Sequence, residues 1–262
     1  MSAVVIDNGL VHYEVIGRGR PVILLHGWLG SWRYWMGTME ALARKYRCYA
    51  LDFWGFGDSD KSRTRCSLSD YLILVDAFME RLGLLDAPLV GHSMGGTIAI
   101  RLALEYPQRA SRLVLVSTPV AGRSVTPIIK LASNPTLNRL FWRRQVIAGW
   151  GRPLLQRWIA TGWQVWYREI LDDVLKVTAT AAQQSGRSLI QTDLRSQLQY
   201  LKLPVTALHG GQDSVVAPSE LRHFQNGSLP TATAVPFPRS QHFPMLDAPD
   251  QFYQTVLEAL SR

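Results

Sequence analysis

The sequence predicts an α/β fold: a mostly parallel, doubly wound sheet interrupted by one inserted helical segment. Three observations lead there. Short apolar runs alternate with helical patterns through the first part of the chain, no buried-strand run occurs between about residues 121 and 199, and the alternation then resumes. Strands covered on both faces read as continuous apolar runs, and their alternation with helices at this spacing marks parallel βαβ units.

Val11 to Ile16 alternates as a half-exposed strand, and Gly17-Arg18-Gly19-Arg20 supplies a turn. Pro21 to Leu25 is a continuous apolar run, followed by a helical pattern over about Trp35 to Lys45 with Met36, Met39, Leu42 and Ala43 on one face. The strand Cys48–Leu51 leads into a glycine-rich loop, Asp52 to Asp60. Ser67 to Leu82 is an amphipathic helix with Ser67 or Ser69 as its cap. A strand begins at Pro88-Leu89-Val90, a helix runs through Thr97 to Leu104, and Leu113–Val116 is a further buried strand. After the insertion come the strands Pro204–Leu208 and Thr233–Phe237. Gln251 to Leu260 forms a final helix, with Asp247 and Asp250 expected to cap it.

Composition narrows the function classes. With 262 residues, 47% hydrophobic and 18% charged, the chain is a globular protein with enough apolar mass for a sizeable core. The N-terminal residues carry no basic segment followed by a long apolar run, so a cytoplasmic location is expected, with no membrane span. Two cysteines, Cys48 and Cys66, make no disulfide framework, and no Cys/His cluster calls for a metal or cofactor. The net charge of +8 is concentrated. Residues 120–199 hold eleven Lys or Arg against four acids, together with Trp142, Trp150, Trp158, Trp163 and Trp166. A basic surface is only an electrostatic footprint, so no nucleic-acid partner is inferred. Interfacial aromatic rings and basic residues do suit an anionic membrane, which leaves a weak peripheral contact as a secondary expectation.

The chemistry centres on Gly91-His92-Ser93-Met94-Gly95, a G-x-S-x-G pattern between a strand and a helix. Small residues at Gly91 and Gly95 let strand and helix approach closely. The Ser93 hydroxyl then projects from a tight turn, and the Met94 N–H sits at a helix start. A serine hydroxyl at neutral pH needs a base, and the base needs an orienting acid. His242, in a loop after the last strand, is the candidate base, and Asp213, shortly after the penultimate strand, is the candidate acid; Asp58 and Asp60 compete less well. His26-Gly27-Trp28-Leu29-Gly30 ends an earlier strand and would present the Trp28 N–H beside that of Met94 as an oxyanion hole.

The order Ser93, Asp213, His242, the H-G-x-x-G loop and the stretch Asp52-Phe53-Trp54-Gly55-Phe56-Gly57-Asp58-Ser59 together resemble the α/β-hydrolase superfamily. The resemblance covers nearly the whole chain outside the insertion, with Trp54 where that superfamily often has Arg. It implies a core of residues 1–119 and 200–262, with residues 120–199 as a helical cap inserted after the sixth strand. It also implies a serine carboxylesterase acting on a small or medium-sized ester through an acyl-enzyme. A Ser at position 93 argues against the dehalogenase and epoxide-hydrolase branches, whose nucleophile is Asp. Thioester, lactone and C–C bond hydrolysis and perhydrolysis stay open on the same scaffold, because fold and triad do not name the substrate. A small-molecule receptor of this fold is the alternative of another class.

Overall fold

The computed structural model describes residues 2–134, 153, 156–158, 163–225, 229 and 231–261. Eight strands form one sheet in the order β1-β2-β4-β3-β5-β6-β7-β8: β1 (Ser2–Ile6), β2 (Gly9–Gly17), β3 (Arg20–Leu25), β4 (Tyr46–Leu51), β5 (Ala87–His92), β6 (Ala110–Val116), β7 (Val205–Gly210) and β8 (Ala232–Phe237). β1 pairs antiparallel with β2 and β2 antiparallel with β4, while every other pairing is parallel. The predicted parallel α/β fold is thus present, with an antiparallel edge. β1 is the strand that hydrophobic pattern does not reveal, since only Ile6 of its five residues is buried. Its hairpin turns on Asp7 and Asn8, both at positive φ (46° and 57°), ahead of Gly9. Asn and Asp tolerate that left-handed region better than other side chains, and it suits a two-residue hairpin turn.

The apolar runs divide between two faces because successive strand residues point to opposite sides. Ile23, Leu25, Leu89, Leu113 and Leu115 join one core, and Val22, Leu24, Val90, Val114 and Val116 the other. Helices α2 (Leu68–Arg81) and α3 (Met94–Glu105) cover the first face. On the second lies α1 (Met36–Leu42), which follows a 3₁₀ turn over Trp32–Trp35 and ends three residues short of the expected Lys45. Ser67 caps α2 by a reciprocal capping box with Asp70, which settles the choice between Ser67 and Ser69.

Between β6 and β7 the described residues contain helices and no strand. They form α4 (Pro127–Ala132), α5 (Trp163–Lys176) and α6 (Ala179–Gln191). The ends of this segment meet at an antiparallel bridge, Ala121 with Asp193. α6 is not peripheral: Ala181, Ala182 and Leu189 belong to the same core as Leu25 and Leu113. After β8 come a short α7 (Pro244–Asp247) and α8 (Pro249–Ser261), whose Phe252, Val256 and Leu260 pack on the second face as their spacing predicts. Arg139, Arg143, Arg144, Arg152, Trp142 and Trp150, which carry much of the membrane expectation, lie outside the described residues. Among the described residues no helix is long and apolar enough to cross a membrane.

Candidate active site

Parallel α/β sheets place their ligand sites at the carboxyl ends of the strands. Here β3 ends at His26-Gly27-Trp28, β5 at Ser93, β7 leads to Asp213 and β8 to His242. Ser93 stands between β5 and α3 with φ 52° and ψ −119°. A non-glycine residue there carries about 1–3 kcal/mol of backbone strain, held by the surrounding bonds. Those bonds are its own N–H to Val116 O (2.8 Å) and its carbonyl accepting from Gly96 and Thr97 N–H (3.0 and 3.2 Å). Met94, the next residue, opens α3, where backbone N–H groups lack intrahelical acceptors.

Close approach fixes the glycines. A Cβ on Gly95 would lie 2.3 Å from Leu25 O and 2.7 Å from His26 O, and one on Gly91 2.6 Å from the Gly96 backbone. Because backbone, not a flexible side chain, opposes it, Gly95→Ala is expected to cost about 2–3 kcal/mol. A urea midpoint unchanged from the parent chain would contradict this. Gly27 sits against the turn itself: its Cβ would meet His92 Nδ1 at 2.9 Å and the Ser93 Cβ at 3.1 Å.

Asp213 and His242 are brought together in the buried interior. His242 Nδ1 lies 2.8 Å from Asp213 Oδ2, and Asp213 Oδ1 accepts from the N–H groups of Val215 (2.8 Å) and Val216 (2.9 Å). His209 Nε2 approaches the same Oδ2 at 3.3 Å. Burial alone would raise the Asp213 pKa; the His242 charge and hydrogen bonds from both histidines instead hold it well below the carboxylate range. His242 is tied to the serine turn through the preceding residue. His92 Nε2–H donates to the His242 carbonyl (2.9 Å), and the two rings lie 4.7 Å apart. Burial and the neighbouring His242 push the His92 pKa well down, so its ring is neutral.

That neutral ring continues inward. A carbonyl only accepts, so His92 Nε2 carries the proton and Nδ1 accepts from Tyr34 O–H at 3.1 Å. The Tyr34 oxygen in turn accepts the Gly27 N–H in a short hydrogen bond. His26, expected beside these glycines, donates from Nδ1 to Gly27 O (2.8 Å) and accepts from Phe53 N–H at Nε2 (3.1 Å), which makes it a brace for the loop. Burial lowers its pKa.

Sequence reasoning missed three supporting residues. Tyr34 is one. Asp52 is the second: fully buried, it accepts from Trp32 N–H (2.8 Å), Asp58 N–H (2.9 Å) and His12 Nδ1 (3.0 Å). The third is Asp247, which accepts from Gln241 N–H (2.7 Å) and so braces the His242 loop. Asp247 lies just ahead of α8, and Asp250 lies in its first turn. The competing acids are engaged elsewhere. Asp58 pairs with Arg33 (2.6 Å) and Lys176 (2.8 Å), and Asp60 accepts from Ser62 N–H (2.7 Å).

His12, Asp52 and Asp58 offer donor atoms within 4.8 Å of one another, the one metal-compatible grouping among the described residues. Their mutual hydrogen bonds and the two cations on Asp58 already account for this clustering. Trp54, at the position where Arg was expected, is buried beneath the Arg63 guanidinium, 4.3 Å from the ring centre.

Comparison with known proteins identifies the fold and the family. A family model described as the alpha/beta hydrolase fold matches residues 20–249. A pimeloyl-(acyl-carrier protein) methyl ester esterase from Nitrosomonas europaea is 31% identical over 258 residues, covering 92% of this chain and 96% of the relative. Among solved structures, an esterase from Exiguobacterium antarcticum superposes with a TM-score of 0.85 at 21% identity, covering 98% of both chains. An enol-lactonase from Burkholderia xenovorans superposes at 0.86 with 19% identity, covering 100% of both. The chain belongs to the α/β-hydrolase family and is a hydrolase of that fold.

Proposed function

We propose that this hydrolase cleaves carboxylic esters through an acyl-enzyme on Ser93. The observation that carries the proposal is the buried Asp213–His242 pair, 2.8 Å apart, tied through His92 to a serine held at positive φ. His242 Nε2 takes the Ser93 proton as Oγ attacks the ester carbonyl. Asp213 holds the proton on Nδ1 and stabilises the imidazolium. The N–H groups of Trp28 and Met94 receive the oxyanion. His242 then returns the proton to the departing alcohol, and water activated by the same ring releases the acid. Residues 120–199 serve as the cap that selects the substrate.

The similarity to a pimeloyl-(acyl-carrier protein) methyl ester esterase makes a methyl ester on a carrier-bound acyl chain the first natural substrate class to test. A second such esterase, from Aeromonas hydrophila, is 27% identical over 259 residues. The surplus of eleven basic residues over four acids in 120–199 suits an anionic substrate or carrier.

The test combines two measurements. A panel of p-nitrophenyl esters of graded chain length should show turnover beside aryl and lactone substrates. A fluorophosphonate should stop that turnover and add its mass to one peptide, the one containing Ser93. Labelling at another residue, or turnover that persists after complete labelling, would overturn the assignment.

A further inference from the structure

The loop that carries Trp28 is anchored at its two ends by different parts of the molecule. Its entry is held from within the sheet core, where Gly27 N–H donates to Tyr34. A turn then closes by Gly30 N–H to Gly27 O (3.1 Å), with Leu29 at φ 64°. The exit is at Ser31, fully buried, whose hydroxyl accepts from Arg33 N–H (3.1 Å) and donates to Asp173 Oδ2 in a short hydrogen bond. Asp173 lies on α5, in the segment between β6 and β7, and is itself buried.

The anchor at the exit is built, not incidental. The other carboxylate oxygen of Asp173 receives Arg33 Nη1 at 2.9 Å; Arg33 Nη2 reaches Asp58 at 2.6 Å, and Lys176, on the same helix, reaches Asp58 at 2.8 Å. A second tether comes from α6, whose Ala182 carbonyl accepts the Trp28 indole N–H at 3.0 Å. The backbone of Trp28 and Leu29 is thus suspended between a fixed sheet-side anchor and contacts supplied by the inserted segment.

We infer that Asp173 is a positioning residue that sets the oxyanion loop through Ser31, so that the segment selecting the substrate also tunes the acyl-transfer step. The inference rests on the reading of the Trp28 N–H as an oxyanion donor. An oxyanion donor acts only if it points at the place where charge develops, so a loop released at its exit loses transition-state binding more than substrate binding.

The experiment measures kcat and KM for a short p-nitrophenyl ester with Ser31→Ala, Asp173→Ala, the double variant and Asp173→Asn. Ser31→Ala and Asp173→Ala should each lower kcat about 10-fold with KM within about twofold, since one misaligned donor is at stake. The double variant should also fall by about 10-fold and not by about 100-fold, because both changes remove one link. Asp173→Asn keeps a hydrogen bond to Ser31 in either amide orientation, since a hydroxyl both donates and accepts, and should hold kcat within about threefold of the parent chain. Asp172→Ala, an exposed position on the same helix, should leave kcat unchanged and controls for general loosening of α5.

Multiplying effects, an unchanged kcat in Ser31→Ala, or a raised KM with unchanged kcat would each overturn the coupling while leaving the site assignment intact. Failure of fluorophosphonate to label Ser93 would instead overturn the site, and the coupling with it.

Discussion

Ser93→Ala is expected to lower kcat for ester hydrolysis by about 10⁶-fold with little change in KM, because it removes the proposed nucleophile by deleting a single oxygen. Asp213→Asn should cost about 10⁴-fold, and the geometry says why. Asp213 Oδ1 is committed to two backbone N–H groups, of Val215 and Val216. In the asparagine variant the amide oxygen takes that place and the NH₂ group faces His242. An NH₂ can only donate, so His242 Nδ1 must accept, and the ring's single proton moves to Nε2. A ring protonated at Nε2 cannot take a proton from Ser93. Stopped-flow assay with a p-nitrophenyl ester checks both variants. An Asp213→Asn enzyme within about tenfold of the parent kcat would show that another residue orients the base.

Asp52→Ala is the largest stability change expected, about 3–5 kcal/mol by urea unfolding, with an unchanged denaturant slope. The substitution removes the acceptor of three donors at once: the part-buried N–H groups of Trp32 and Asp58 and the buried His12 Nδ1. It also removes the partner that matters for His12. Burial opposes the charge on His12, but hydrogen bonding and attraction from Asp52, joined by Asp58 and Glu14, outweigh it and raise its pKa above 6.5. A histidine raised in the folded state contributes stability fully present below its unfolded value. That contribution is lost as pH rises through the folded value. The gap between parent and variant should therefore be wider near pH 6 than near pH 8.5. A gap independent of pH would remove His12 from the account and leave only the backbone bonds.

The sheet and the candidate site were legible because each rests on a local signal. Continuous apolar runs identify β3, β6 and β7, and the glycines around Ser93 identify a strand-to-helix turn. Asp213 and His242 follow from their places after the last two strands, since a parallel sheet gathers its strand ends on one side. What stayed hidden depends on distance in space. Asp52 looks like a loop residue until β2 and the 3₁₀ turn after β3 are folded around it. The contact of Asp247 with the Gln241 N–H has no signature because Gln241 belongs to a loop of no regular pattern. Tyr34 sits in an ordinary amphipathic stretch, and only the neutral His92 ring beside it makes its hydroxyl a link. β1 escaped because an edge strand with one buried residue has almost no hydrophobic period.

The packing of α6 bears on how new specificities can be made in this scaffold. Exchanging the inserted segment between relatives is attractive because both of its ends meet at the Ala121–Asp193 bridge. Yet Cys66 N–H donates to Gln184 (2.9 Å), Leu68 N–H donates to Ser188 (3.2 Å), and Ala181 lies where a Cβ on Gly55 would be, 2.3 Å away. These contacts tie α6 to the sheet and its covering helices. A chimera cut at the bridge would transplant part of the host's interior. One joined just ahead of Thr178, which caps α6 and whose N–H bonds to Gly55 O at 3.0 Å, would keep α6 native, provided that the exchanged part retains Asp173 against Ser31 and Ile129 and Ile170 in the two cores.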